Sequence, residues 1–268
     1  LIVGAKARGI PVALVNARLS ARSQRGYKRL ATLSRPAFAA LDLVTAQTED
    51  DASRIRSLGA TNVSVTGNLK FDVRPDEAKE ARGRNWRAEI GARPVWLAAS
   101  TRDGEEARIL DALLALELPG VLLILVPRHP QRFEDVAALV MSHGMALKRR
   151  SLEEFPQADT QVWLGDSMGE MASYYAAADL ALIGGSLLPY GGQNLIEAAA
   201  CGCPTIVGEH TFNFAQATDD AVACGAAIRI SGPEALAATV QTILANPETR
   251  INMKEKAIAF SLAHQGAT

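Results

Sequence analysis

The sequence predicts an α/β protein made of two blocks in which strands and helices alternate, each block a Rossmann-like domain, the two facing across a cleft. Three observations carry this reading. Continuous apolar runs of buried-strand length, among them Val121–Val126 and Leu180–Ile183, recur between segments of helical length. Loops rich in glycine or polar side chains follow the strands of the second block. A polar, charged stretch from Arg74 to Arg93 interrupts the rhythm, which assigns residues 1–70 to the first domain, 71–93 to a linker and first helix, and 94–268 to the second domain.

Taken in order, Leu1–Arg8 reads as the end of an amphipathic helix closed by Gly9, and Pro11–Val15 as a buried strand. That strand delivers Asn16, Arg18 and Ser20 at its carboxyl end, the edge where open α/β sheets bind ligands. Arg22, Arg25 and Lys28 follow, a basic cluster that reads equally as an anion site or as a solvated helix face. A helix runs through about Phe38, and the strand Leu43–Ala46 leads to Thr48. Thr48 caps a helix with acids in its first turn and arginines toward its end, as the helix dipole favours. Gly59 ends that helix and Asn62–Thr66 is an alternating strand; Lys70 follows in a short break.

In the second block Val95–Ala99 is a strand, and Ser100, Thr101 and the residues through Glu106 open a helix. Val121–Val126 ends in Pro127-Arg128-His129-Pro130, a turn stiffened by two prolines that brings Arg128 and His129 to the strand edge. Gln161–Leu164 is a further strand. Ser167-Met168-Gly169-Glu170 spells a capping box for the helix that ends near Ala178; the functional alternative is a helix N-terminus where Gly169 admits a ligand ring and Met168 supplies apolar contact. Leu180–Ile183 runs into a loop with Gly184, Gly185, Gly191 and Gly192, and Asn194 is placed to cap a short helix stopped by Gly202 and Pro204. Strand, permissive loop and helix N-terminus together make an anion site, with phosphate the first ligand to consider. Glu197 stands three residues after Asn194; it either completes a capping box or accepts two hydrogen bonds from a ribose diol, and the roles can coexist. Thr205–Val207 and Ala226–Ile230 are the remaining strands, Phe212 and Phe214 read as cleft rim or core, and helices from Pro233 and Pro247 close the chain.

Composition narrows the chemistry. Of 268 residues 48% are hydrophobic and 21% charged, which suits a packed globular protein rather than a disordered one. A net charge of −1 supplies no basic field, so nucleic acid is not an expected partner. Cys201, Cys203 and Cys224 are too few and too poorly spaced for a disulfide framework or a zinc site and read as reduced, buried thiols of a cytosolic protein. No run approaches the roughly 20 apolar residues of a membrane span. No zinc cluster, Gly-x-Ser-x-Gly elbow, Walker loop or Asp-x-Asp pair is present, so no metal and no cofactor are expected.

More specific strings go beyond composition. VNARLSARS (15–23), VTGNLKFD (65–72), ILVPRHPQRF (124–133), GDSMGEM (165–171), IGGSLLPYGGQNLIEA (183–198) and GEHTFNF (208–214) together resemble the 3-deoxy-D-manno-octulosonic acid (Kdo) transferase family, over essentially the whole chain. The resemblance implies the GT-B architecture and a metal-independent inverting glycosyltransferase. Such an enzyme moves Kdo from CMP-Kdo to a lipid A precursor in lipopolysaccharide synthesis, at the cytosolic face of the inner membrane. Matched position by position, Arg128, His129, Pro130, Met168, Gly169, Glu170, Asn194 and Glu197 look like the family's donor-binding residues. Asn16, Arg18, Ser20, Lys70, Ser100 and Thr101 are candidate acceptor or sugar contacts. The family's glutamate base lies in a Gly-Glu motif with no counterpart here. Base and membrane anchor are therefore expected upstream of Leu1, with the first domain incomplete and the fragment, soluble and cytoplasmic, inactive alone. Gln193 and Leu195 depart from the His and Pro of many members. Two other readings stand beside this one: a GT-B enzyme using a UDP-sugar, and a non-catalytic nucleotide-binding module.

Overall fold

The computed structural model describes residues 1–67 and 75–264. The chain divides into two compact units, Leu1–Asp72 and Val73–Ala263. In the first unit helix α1 (Ile2–Lys6) is followed by β1 (Ala13–Ala17), α2 (Ala21–Arg29), α3 (Ala31–Ala39), β2 (Leu43–Ala46), α4 (Glu49–Arg56) and β3 (Val63–Val65). The described strands pair in parallel in the order β1-β2-β3. Val44, Ala52, Ile55 and Leu58 are buried between sheet and helices.

Two departures from the expected elements have local causes. The first strand starts at Ala13 because the chain entering it is held elsewhere: the Val12 amide donates to the Asp42 carboxylate at 2.9 Å. The single helix expected through Phe38 is two, broken at Leu30. Ser34 Oγ donates to the Tyr27 carbonyl at 2.7 Å, occupying an acceptor that a continuing helix would have used for Ala31 N–H. Tyr27 and Phe38 then meet edge to face at 5.4 Å. Thr48 caps α4 as expected, accepting from the Asp51 amide at 3.1 Å.

In the second unit α5 (Glu77–Ile90) precedes β4 (Val95–Thr101), α6 (Glu105–Leu114), β5 (Leu122–Pro127), α7 (Phe133–Ser142), β6 (Leu147–Arg149), β7 (Val162–Leu164), α8 (Met171–Ala177), β8 (Leu180–Ile183), α9 (Ile196–Ala200), β9 (Thr205–Val207), α10 (Ala215–Ala223), β10 (Ala227–Arg229), α11 (Leu236–Ala245) and α12 (Pro247–His264). The charged stretch expected as linker and first helix is a helix from Glu77 that packs on α8 as part of this unit. Trp86 stands edge-on to Trp163 at 5.1 Å, and Gly83 lets the Ser173 carbonyl approach where a Cβ would sit 2.2 Å from it. Strand β6 has no counterpart in the sequence reading, because Leu-Lys-Arg is a polar edge strand that gives no apolar run.

Among the described residues the second sheet has seven parallel strands in the order β10-β9-β8-β4-β5-β7-β6. Trp96, Leu123, Leu125, Leu180 and Leu182 are fully buried in it, as continuous apolar strands covered on both faces require. Chain progression reverses between β4 and β8. Such a reversal leaves a crevice beyond the strands' carboxyl ends, the usual ligand position of doubly wound sheets.

Candidate functional site at the carboxyl edge of the second sheet

All strands of this sheet run the same way, so the loops after β4, β5, β7, β8 and β9 emerge at one edge. Arg128, His129, Pro130, Met168, Gly169, Glu170, Asn194 and Glu197 lie in or just after these loops, and the fold brings them to the same edge. The loops are fastened to each other. The Arg128 amide donates to the Thr101 carbonyl at 3.0 Å, and the Gly184 amide to the Ala99 carbonyl at 2.8 Å. A Cβ on Gly184 would lie 2.3 Å from the Ser100 carbonyl oxygen, so the strand-end backbones touch and only glycine fits.

The first turn of α6 ties this edge together, a role the sequence reading missed because Glu105 and Glu106 looked like ordinary acids opening a helix. Both are fully buried. Glu105 accepts from the amides of Arg102 (2.9 Å), Gly185 (2.7 Å) and Leu187 (3.0 Å), which fixes the glycine-rich loop after β8 to the loop after β4. Burial pushes its carboxyl above the ordinary range, against the pull of the three amides. Glu106 accepts from Thr101 Oγ1 at 2.8 Å and from Arg132 at 2.5 Å, which ties down the start of the segment after β5. Thr101, expected as a possible sugar contact, is fully buried and its hydroxyl donates to Glu106.

Two further expectations, both capping boxes, are overturned. At Ser167 the hydroxyl donates to the Glu170 carboxylate at 2.6 Å and caps no amide. Glu170 is also bound by Arg82 (2.6 Å) and Arg150 (3.1 Å). Burial raises its pKa, but the hydrogen bonds of Ser167, Arg150 and Arg82 outweigh it and hold the carboxyl below its usual range. Its carboxylate is thus occupied; what the turn leaves open is Gly169, exposed with φ +78° and empty space above it, beside an exposed Met168.

At the second box Asn194 Oδ1 accepts from the Ile196 amide at 3.0 Å, a turn that places the cap position at Leu195. Glu197 does not reach back. Its carboxylate is half-buried and, among the described residues, has no hydrogen bond or ion pair; burial raises its pKa while the Lys79 ammonium pulls the other way. Arg128 and His129 are exposed, and no side-chain hydrogen bond or ion pair engages them among the described residues.

The other candidates divide. Asn16 and Ser100 occupy matching places: each is the penultimate residue of the first strand of its sheet in chain order, with a positive φ (+56° and +57°) and with a break in register to the neighbouring strand. Ser20 caps α2, accepting from the Ser23 amide at 3.1 Å, and Arg18 is exposed. Lys70 lies outside the described residues. Cys203 is buried as expected, whereas Cys224 is exposed because it follows the last turn of α10. Phe212 is 60% exposed, which places it on the surface rather than in the core. The first unit holds an apolar cavity of about 530 Å³ lined by residues such as Val12, Tyr27 and Phe38, with no carboxylate, amine or guanidinium in its wall. Among the described residues no cluster of His, Cys, Asp or Glu is placed to hold a metal, and no helix is long and apolar enough to cross a membrane.

A family profile described as 3-deoxy-D-manno-octulosonic-acid transferase (kdotransferase) matches residues 1–73, and one described as glycosyl transferases group 1 matches residues 142–260. The 3-deoxy-D-manno-octulosonic acid transferase of Bordetella pertussis is 48% identical over 100% of this chain and 64% of its own length; that of Haemophilus influenzae is 36% identical over 97% and 62%. The chain thus spans just under two thirds of the length of these relatives. The crystal structure of the C-terminal CMP-Kdo binding domain of WaaA from Acinetobacter baumannii is 31% identical, with a TM-score of 0.65 over 69% of this chain and 98% of that one. The α/β fold is of the expected GT-B class. A match that covers 98% of that domain at 31% identity, together with 48% identity to the Bordetella transferase along the whole of this chain, places the chain in the 3-deoxy-D-manno-octulosonic acid transferase family.

Proposed function

We propose that this chain is the donor-binding part of a metal-independent, inverting transferase that moves Kdo from CMP-Kdo to a lipid A precursor. The observation that carries the reading is Glu197: a half-buried carboxylate with no hydrogen bond or ion pair among the described residues, beside a glycine-rich loop locked in place by Glu105. A carboxylate kept partly out of water and unpaired is unfavourable unless a ligand supplies donors, and the vicinal hydroxyls of a ribose supply two. In this reading Arg128 meets the phosphate, the open ground over Gly169 and Met168 receives the cytosine, and Asn194 and Glu197 hold the sugar of the nucleotide. The names of the relatives support the transfer reaction, and the description of the Acinetobacter domain as CMP-Kdo binding supports the donor.

Chemically, Arg128 and His129 stabilise the negative charge that develops on the phosphate as CMP departs. The proton of the acceptor hydroxyl requires a general base, for which the family's Gly-Glu glutamate is the candidate. Arg18, Asn16 and Ser100 remain as candidate acceptor or sugar contacts. The reaction belongs at the cytosolic face of the inner membrane, where the acceptor lipid resides. Isothermal titration of the full-length protein with CMP and UMP tests the reading. A clear preference for CMP is expected; equal or tighter binding of UMP or UDP overturns it in favour of a UDP-sugar enzyme.

A further inference from the structure

Three arginines reach the carboxyl edge around the β4 and β5 loops, and they are not equivalent. Arg132 is enclosed by acid, with Asp103 at 3.0 Å and Glu106 at 2.5 Å. Arg102 and Arg128 have no carboxylate at ion-pair distance and no side-chain hydrogen bond among the described residues. They sit beside each other: the amide of Arg128 bonds to the carbonyl of Thr101, the residue before Arg102.

Arg102 is also held in place. Its guanidinium lies 4.7 Å from the centroid of the Tyr190 ring, and Tyr190 is itself anchored by its hydroxyl, which donates to the Asp103 carbonyl at 3.1 Å. Gly185, at φ +70°, brings the loop after β8 close enough that a Cβ there would sit 3.5 Å from Arg102 Cγ. The ring face attracts the cation but does not neutralise it. A half-buried guanidinium oriented by packing, at the point where strand order reverses, and lacking a counter-charge is arranged to receive an anion.

The donor of the proposed function, on which this inference rests, brings two anions. One is the phosphodiester; the other is the sugar's carboxylate, borne on the same carbon that carries the ester oxygen. Two residues with adjoining backbones, each bearing a guanidinium without a carboxylate partner among the described residues, suit a ligand with two adjacent anions. We propose that Arg102 receives the carboxylate of the donor's sugar acid while Arg128 receives the phosphate, so that Arg102 selects an acidic sugar over a neutral one. The planar fork of an arginine pairs with a carboxylate through two parallel hydrogen bonds, which a lysine does not reproduce.

The test uses the full-length protein with Arg102→Met, Arg102→Lys and Arg128→Met, titrated with CMP, which has the phosphate alone, and with CMP-Kdo, which has both anions. Arg102→Met is expected to leave CMP affinity within about twofold and to weaken CMP-Kdo by about tenfold or more. Arg102→Lys should fall between it and the parent for CMP-Kdo, and Arg128→Met should weaken both ligands. Equal losses of CMP and CMP-Kdo in Arg102→Met would assign Arg102 to the phosphate and overturn the inference, as would no loss of either. Should Arg102→Met fail to fold, Arg102→Lys decides, with unchanged CMP-Kdo affinity the overturning result. Absence of CMP binding by the parent protein would instead remove the proposed function itself.

Discussion

The Glu105 carboxylate accepts the amide of Gly185 at 2.7 Å from a wholly buried position, although the two residues stand 80 apart in sequence. It joins the helix after β4 to the loop after β8, the two strands between which the sheet reverses. The glycine-rich loop owes its shape to this acid as much as to its glycines.

Glu105→Gln should therefore destabilise the second unit. A carboxamide presents an N–H toward amides that need an acceptor, and at least one buried donor loses its partner, at about 2–3 kcal/mol. The urea midpoint measures the loss, and hydrogen exchange at the Gly185 and Leu187 amides locates it. An unchanged midpoint with unchanged protection would show that the carboxylate does not hold the loop.

Glu197→Gln should do the reverse. Among the described residues its carboxylate supports no cap and no ion pair, and burial lifts its pKa above the ordinary value near 4.5. A raised folded pKa contributes stability that is complete below the unfolded value and is lost as pH rises through the folded one. At pH 7 the substitution should leave the melting temperature unchanged or higher. CMP affinity should fall by about 1–3 kcal/mol if the acid holds a ribose diol. In the parent, CMP binding should also weaken as pH drops through the raised pKa, and 2′-deoxy-CMP should lose its disadvantage in the variant. A lower melting temperature with unaltered CMP affinity would return Glu197 to a structural role.

How much of this was readable in sequence depended on how local each signal is. Leu43–Ala46, Leu180–Ile183 and Thr205–Val207 appear as strands with the expected bounds, because short runs of apolar and β-branched residues between turn residues have few alternatives. The edge positions of Arg128, Gly169 and Glu197 follow likewise from β5, β7 and β8, since a loop's place is fixed once the strand before it is. The capping boxes failed for a different reason. The motif specifies residue types three apart, but at Glu170 two arginines from α5 and from the segment after β6 compete for the carboxylate, and distant partners leave no trace in a four-residue string. Glu105 and Arg102 escaped notice likewise: their partners lie across the sheet, 80 or more residues later.

Two glycines at this edge should respond differently to alanine. At Gly184 the added methyl meets backbone, the Ser100 oxygen at 2.3 Å and the Thr101 Cα at 2.7 Å, so the ends of β4 and β8 must part; a loss of about 2–4 kcal/mol is expected. At Gly169 the methyl enters open space and only the positive φ resists it, at about 1 kcal/mol. Thermal melts rank the two variants. Gly169→Ala should keep the fold while weakening CMP, since the methyl stands where the proposed base lies; full CMP affinity in that variant would move the nucleotide away from this turn.

Asp166, at the head of the same turn, sets the acid limit of the site. Its side chain is fully buried and accepts from Arg149 Nε at 2.7 Å, from the Ser151 amide at 2.7 Å and from Ser151 Oγ at 2.5 Å. Burial alone would raise its pKa, but the Ser151 and Arg149 hydrogen bonds outweigh it and hold the carboxyl below its ordinary value near 3.8. For a depressed acid the sign is opposite to that of Glu197: its contribution is complete above the unfolded value and is lost as pH falls through the folded one. Asp166→Asn should thus cost about 2–4 kcal/mol at pH 7, and the gap to the parent should shrink only below about pH 3.8. Arg149 keeps Glu134 at 2.6 Å, so the variant leaves no guanidinium stranded and should remain folded enough to measure. Urea unfolding of both proteins between pH 3 and 7 checks the slope; a gap that closes already near neutral pH would mean that Asp166 is not held ionised by Arg149 and Ser151.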